Sequence, residues 1–422
     1  MRKVAFILGM SIIFGVCPGG TITVSLDGTG DYSTIQAAIN NSIVGDKVIV
    51  VQGTYGENIN FFGKNITVTS TDPDDPNVVA ATIINGGGND SVVMFDGSET
   101  ACCVMTGFTI TGGNAFNGGG INGNATNATI SNCTITGNTA ERFGGGLDYC
   151  DGKIEKCIIT CNTVEWYGGG LSRCKGTIKN CTITGNTADH GGGLHGCHGT
   201  ISVCTITMNT AHYNGGGLYR CDGPISSCTI NNNRAGQCGG GLDDCGGAIS
   251  NCLITENTAY YNGGGLNDCD GTKSNCLITS NTTNYKGGGF FGCEGIVRNC
   301  TITSNTAGNN GGGIYCYYND PTITNCILWD NTPEELCLYN STPVVNYSDI
   351  KGAWEGMGNI NLDPLFLDTA NGNFHLRSDS PCVDSGDPGF AAEEGEVDID
   401  GEPRVEGARV DIGADEVFID LL

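Results

Sequence analysis

The sequence predicts an all-β chain: a single-stranded right-handed parallel β-helix of about 24 residues per coil, with a short N-terminal capping helix and an irregular C-terminal cap. Three observations predict it. First, one unit recurs from Gly118 to Asn331, seen most plainly in N-C-T-I-T-G-N-T-A-D-H-G-G-G-L-H-G-C-H-G at Asn180–Gly199. Its glycine triplets begin at Gly118, Gly144, Gly168, Gly191, Gly215, Gly239, Gly263, Gly287 and Gly311. Self-similarity at a fixed period in the twenties marks a stacked array. Second, each unit holds short β-branched stretches: C-T-I-T, a strand after the glycines, and a third such as Gly199–Ile201. Third, no unit has the apolar period of a helical or leucine-rich repeat. Three short strands joined by tight turns make one coil. Coils then stack about 4.8 Å apart, and parallel crossovers are right-handed.

The N-terminus is read first. Met1–Gly20 pairs two basic residues with a short apolar run, as in a secretory signal peptide, with a lipoprotein cysteine at Cys17 as the alternative. No later stretch is apolar enough to span a bilayer. Residues 21–332 are expected to form the β-helix and its cap. Within them, Thr21–Asn40 reads as a strand, a glycine turn and a helix capped by Asp31 or Ser33, with Ile35, Ala38 and Ile39 on its apolar face. Such a helix plugs the open end of the solenoid. Phe108 and Asn124 stand where later units place their two cysteines.

In the regular coils, Cys and Ile of C-T-I-T share the core face. The asparagines at Asn138, Asn162, Asn186, Asn209, Asn233, Asn257, Asn281, Asn305 and Asn331 are expected to form a hydrogen-bonded ladder. This structural role accounts for the repeat better than the N-C-T glycosylation sequons do. One cysteine column runs from Cys133 to Cys326 and a second from Cys150 to Cys316, at alternating separations of about 7 and about 17 residues. Cross-core disulfides between the columns are expected, either Cys133–Cys150 or Cys150–Cys157 and onward. Stacked free thiols are the alternative. No close C-x-x-C pair points to a metal.

The whole pattern resembles the right-handed parallel β-helix superfamily that includes pectate lyases and pectin methylesterases. Thr21–Ser70 is similar to the cap and first coils of pectin methylesterases, and the glycine-rich unit with its N-T-A turn resembles the repeats of polymorphic outer-membrane adhesins. Residues 333–422 are expected to form a last irregular coil, through Val344–Ile350, and a region that resembles choice-of-anchor Q domains. The resemblance implies a fold and leaves the activity open. The paired aspartates and glutamines of the esterases, the arginine signature of the lyases and the aspartate clusters of polygalacturonases are not found, so no catalytic residue is assigned.

Composition narrows the function. A net charge of −26, from 45 acidic against 19 basic residues, argues against nucleic acid. Two candidate surfaces remain. Trp166, Tyr213, Tyr261 and Tyr285 stand two positions before their glycine triplets, an aromatic strip suited to stacking on sugar rings. Around the second cysteine column lies a polar strip of Arg173, Lys175, His195, His198, Arg220, Asp222, Asp243, Asp244, Asp268, Asp270 and Glu294. Within it, Asp243, Asp244, Asp268 and Asp270 are candidate Ca²⁺ ligands. Asp398 and Asp400, near Asp384, Asp387 and Asp411, form a second candidate Ca²⁺ loop. The expectation is a secreted or cell-surface monomer that binds extracellular polysaccharide or another surface component. A polysaccharide lyase or hydrolase and a structural adhesion rod are the alternatives.

Overall fold

The computed structural model describes residues 19–417, so the expected signal peptide, apart from its last two residues, lies outside the described residues. The chain is a right-handed parallel β-helix. Its strands stack into four long parallel sheets: A with 14 strands, B with 13, C with 12 and D with 9. One coil runs Ile178–Lys179 in A, Thr182–Thr184 in B, Thr187–Ala188 in D and Leu194–His195 in C. Stacking is like on like. Ile154, Ile178 and Ile201 are in register in A, Ile159, Ile183 and Ile206 in B, and Leu171, Leu194 and Leu218 in C. All are buried, so each coil repeats the same core layer.

Four strands per coil replace the expected three. Sheet D is the N-T-A segment, read from sequence as a turn. Its strands are mostly two residues long, too short to show alternation, and Ala140, Val164 and Ala188 pack as their own small cluster outside the main core.

The asparagine ladder forms as expected. Each side chain accepts at Oδ1 from the backbone N–H and the Nδ2 of the preceding rung, and donates to the following rung and to an isoleucine carbonyl. Glu335 ends the ladder. Its carboxylate receives the N–H of Asn331 at 3.3 Å and the amide nitrogen of the same residue, doing the work of a further asparagine.

The cysteines depart from expectation. Every cysteine among the described residues is a free thiol, and both columns are buried. Each column stacks on itself, Cys150 against Cys174 and Cys133 against Cys157. The columns flank the sheet A strand at opposite corners, and from Cys133 to Cys326 and from Cys150 to Cys293 each thiol meets the next rung of its own column, while Cys316 stands level with Gly292 and apart from Cys293. Cys133 donates to the Ser131 carbonyl at 3.1 Å and Cys157 to that of Glu155 at 3.3 Å. In the first unit Phe108 does precede the sheet B strand as Cys133 does. A register shift then brings Thr126, and not Asn124, opposite Cys150.

A helix closes the N-terminal end, and the C-terminal chain packs along the side of the solenoid. Helix α1 (Ile35–Asn41) is capped by Thr34 in place of Asp31 or Ser33, and Glu57 takes the N–H groups of Ile35 and Gln36 at 2.8 and 2.9 Å. A carboxylate from the loop before the first strand of sheet C thus meets the helix N-terminus, where free donors and the dipole favour it. Gln36 pairs with both backbone groups of Asn60, at the first strand of sheet C. At the other end the solenoid runs on past residue 332. Leu336–Tyr339, Val344–Asn346 and Asp349–Ile350 extend sheets C, A and B. The remaining chain folds back on the corner between A and B. Asn251 donates to the Val397 carbonyl, Ala414 N–H to Thr301 Oγ1 at 3.0 Å and Gly413 N–H to the Asn325 carbonyl at 2.9 Å. Buried Arg404 meets Glu416 at 3.0 Å inside this extension.

Candidate carbohydrate-binding groove

The strands of sheet C place a second residue after each core leucine. That position carries Asp148, Ser172, His195, Tyr219 and Asp243 in successive coils. The next residue turns the corner at positive φ: Tyr149, Arg173, Gly196, Arg220 and Asp244, with φ between 52° and 58°. The left-handed bend is imposed by the coil on residues that ordinarily avoid it. Gly196 is the one member of this run without a side chain, and a Cβ built there meets nothing within 4 Å. The missing rung opens a groove of about 550 Å³. Tyr149, Arg173, Lys175, His195, Gly196, His198, Arg220, Asp222 and Asp244 line it.

The polar strip predicted from sequence therefore converges in part. Arg173 is held by Asp148 through Nε at 3.0 Å and a terminal nitrogen at 2.6 Å, and its guanidinium lies 3.8 Å from the Phe143 ring centre. Arg220 binds Asp244 at 2.7 Å and His198 faces Asp222 at 3.3 Å. His195 shares a 3.1 Å hydrogen bond with Ser172 through Nδ1. Burial pulls its pKa down to about 4, and the neighbouring Arg220 adds to the effect, so the imidazole is neutral. Burial raises Asp148 to about 6 against the pull of Arg173.

Asp243, Asp268 and Asp270 do not join the groove. Asp243 is buried and accepts from Asn267 at 2.6 Å, while Asp268 accepts from the same amide at 3.0 Å. Asp270 takes the Glu294 N–H at 3.1 Å. With Asp244 bound to Arg220, the expected Ca²⁺ quartet is split, Asp243 and Asp268 sharing Asn267 and the other two each held elsewhere. Burial pushes Asp243 up to about 8 and Asp268 to about 6.

A ring stack backs the groove. Phe143, Tyr167, His190 and Tyr213 follow one another at 5.5, 5.4 and 5.3 Å. His195 and Tyr219 interleave with it, His195 at 4.5 Å from Tyr167 and Tyr219 at 5.1 Å from His190. Phe143, Tyr167 and His190 each stand one position before a glycine triplet, beside the strip expected from sequence and not in it. The signal that places them is the shorter step from Gly168 to Gly191, 23 residues, which draws His190 into line with Tyr167.

The four strip residues are partly exposed, Trp166 at 49 % and Tyr285 at 40 %. They do not make one row. Trp166 packs edge-on to Tyr167 beneath Arg142, and Tyr213 ends the ring stack. Tyr261 and Tyr285 meet at 5.3 Å with Tyr260 against both. Asp189 and Gln237 interrupt the row.

The second expected Ca²⁺ loop also resolves differently. Asp398 is buried, and its carboxylate accepts three backbone N–H groups, from Asp400, Glu402 and Glu416, at 2.9–3.0 Å. Asp384 and Asp411 likewise bind backbone of the extension. Asp400 faces His375 instead, at 2.7 Å.

Comparison with sequence families agrees on architecture. The family described as the right handed beta helix region matches residues 119–283, and the Chlamydia polymorphic membrane protein repeat matches residues 299–317. Among solved structures the chain is similar to pectate lyase Pel9A, with 14 % identity, a TM-score of 0.46, and coverage of 95 % of this chain and 97 % of that one. The alginate lyase AlyGC of family PL6 gives 10 % identity and 0.45, over 85 % of this chain and 55 % of that one. Pectin methylesterase from carrot gives 13 % identity and 0.27, over 82 % and 90 %. No curated protein sequence matches the chain. No helix among the described residues is long and apolar enough to cross a membrane.

Proposed function

We propose that this β-helix binds a polysaccharide outside the cell or at its surface, as a monomer, and that the groove at Gly196 is the principal sugar site. The observation that carries the reading is the missing rung. It uncovers a neutral imidazole between two arginine–aspartate pairs, backed by stacked rings. Each pair sets fixed donors beside acceptors, the pattern that vicinal hydroxyls of a sugar satisfy, and the rings supply apolar faces at small entropic cost. Trp166 and Tyr213 at the ring stack, and Tyr261 and Tyr285 in a separate cluster, add contacts for a long, multivalent ligand. Ca²⁺ is not required for this mode.

The test is a glycan array on the wild type and on Gly196→Arg. Arginine already occupies the same corner at Arg173 and Arg220, with φ of 55° and 52°, so the variant restores the column at the modest left-handed backbone cost that those two residues already bear. Binding is expected to vanish with the fold retained and the melting temperature lowered by only a few degrees. Retained binding by Gly196→Arg, together with loss in the Trp166→Ala/Tyr213→Ala double variant, would move the site to the exposed strip. An elimination activity is the second reading, favoured by the neutral His195 beside Arg173 and Arg220, which suits a general base. Formation of unsaturated uronate from array hits, lost in His195→Ala, would establish it.

A further inference from the structure

Three parts of the C-terminal extension bring metal-ligating side chains together away from the groove. His375 lies on the strand Asn373–Leu376, Asp400 on the loop after Asp398, and Asp415 near the end of the described chain. Their ligand atoms lie within 4.8 Å of one another. We propose that His375, Asp400 and Asp415 bind one divalent transition cation, zinc in the first instance, with an open coordination face.

Two observations support this independently of the cluster itself. The first is the imidazole. Asn373 Oδ1 accepts the backbone N–H of His375 at 3.1 Å, which fixes the amide with its oxygen toward the ring. The same oxygen lies 2.5 Å from Nδ1, so Nδ1 carries the proton. Nε2 donates to Asp400 Oδ2 at 2.7 Å in the metal-free chain, and a cation bound between the two would take the place of that proton. The bond to Asn373 is the outer hydrogen bond that orients a histidine ligand and fixes its tautomer. The second is Asp415, only 8 % exposed. One of its oxygens accepts the Leu376 N–H at 2.7 Å, and the other has no hydrogen-bond partner among the described residues.

The donor set selects the metal. An imidazole nitrogen with two carboxylate oxygens suits zinc and its neighbours, whereas Ca²⁺ takes six to eight oxygens. Three protein ligands leave a fourth position open, and the cluster borders a cavity of about 520 Å³ against Thr229, Leu253 and Leu277 of sheet B. The cation would tie the extension's three segments together.

The experiment is titration of the chelator-treated full chain with Zn²⁺, and with Co²⁺ as a spectroscopic stand-in. One saturable site is expected, with a cobalt spectrum free of the thiolate charge-transfer band, so that the cysteines are not the ligands. His375→Ala and Asp400→Asn should each abolish it. Asp400 is half exposed and its substitution leaves the fold intact, which keeps the test valid should Asp415→Asn destabilise the extension. Asn373→Ala should weaken binding by about 10–100-fold, and Asn373→Asp should restore it. Absence of saturable binding, a thiolate band, or unchanged affinity in Asp400→Asn would overturn the assignment.

Discussion

Asn209→Ala tests the ladder at its centre. The Asn209 side chain makes four hydrogen bonds: it receives Asn186 N–H and Nδ2, both at 3.0 Å, and donates to Ile183 O at 2.9 Å and Asn233 Oδ1 at 3.0 Å. Asn186, Asn209 and Asn233 are all buried, so no water replaces what is lost. Truncation removes four bonds at about 1 kcal/mol net each and orphans two donors of Asn186. The expected cost is about 4–6 kcal/mol. Because each coil contacts only its neighbours, the loss is local at first. Hydrogen exchange by mass spectrometry should show the coils around Asn186–Asn233 opening well before both ends, and the urea midpoint should fall. Thr205→Ala, on the exposed face of the same coil, is the control and should cost under about 0.5 kcal/mol. A cost for Asn209→Ala of under about 1 kcal/mol, or exchange spread evenly along the solenoid, would refute a cooperative ladder.

Other expectations follow from buried groups. A thiol reagent should label Cys102 and Cys161 in the native chain, and every cysteine of both columns after denaturation without reductant; unlabelled column cysteines would restore the disulfide reading. Burial raises Asp243 from 3.8 to about 8, Glu335 from 4.5 to about 7 and Asp349 from 3.8 to about 6. The folded chain then holds protons that the unfolded chain has released, so stability is highest below the unfolded values and falls as pH rises through the folded ones. Melting should be higher near pH 5 than near pH 8, and Asp243→Asn should flatten the upper part of that slope. Arg404→Ala strands buried Glu416 and should cost about 3–5 kcal/mol, read as early release of the extension to protease.

The fold was legible because a solenoid writes one local solution many times. Ile178, Cys181, Ile183, Asn186 and Leu194 recur with their spacing intact, and recurrence separates core from variable positions without a structure. What escaped were features decided by a single neighbour. The helix cap depends on Glu57, more than a dozen residues downstream, and on Thr34, masked by the equally plausible Asp31 and Ser33. The cysteine spacing sums to one coil whichever way the columns are paired, so it carries no information on which corner each column occupies. Glu335 closes the ladder as a glutamate only because the chain leaves the repeat there.

The site was harder to read for a related reason. A row of similar residues draws attention to what is present, and Trp166, Tyr213, Tyr261 and Tyr285 were chosen that way. Counting back from the glycine triplets placed them on one line, yet the turn before Gly191 is one residue short, and the rings that stack are Phe143, Tyr167 and His190. The groove arises from an omission at Gly196. Glycine is the commonest residue here, 69 of 422, and the corner is left-handed in every coil, so glycine is the residue that position would accept by default. Its meaning lies in the side chains of Arg173 and Arg220 on either side. In a repeat of this kind, a surface is made by the letters that recur, and a cavity by a rung where a bulky letter is withheld between two that carry one.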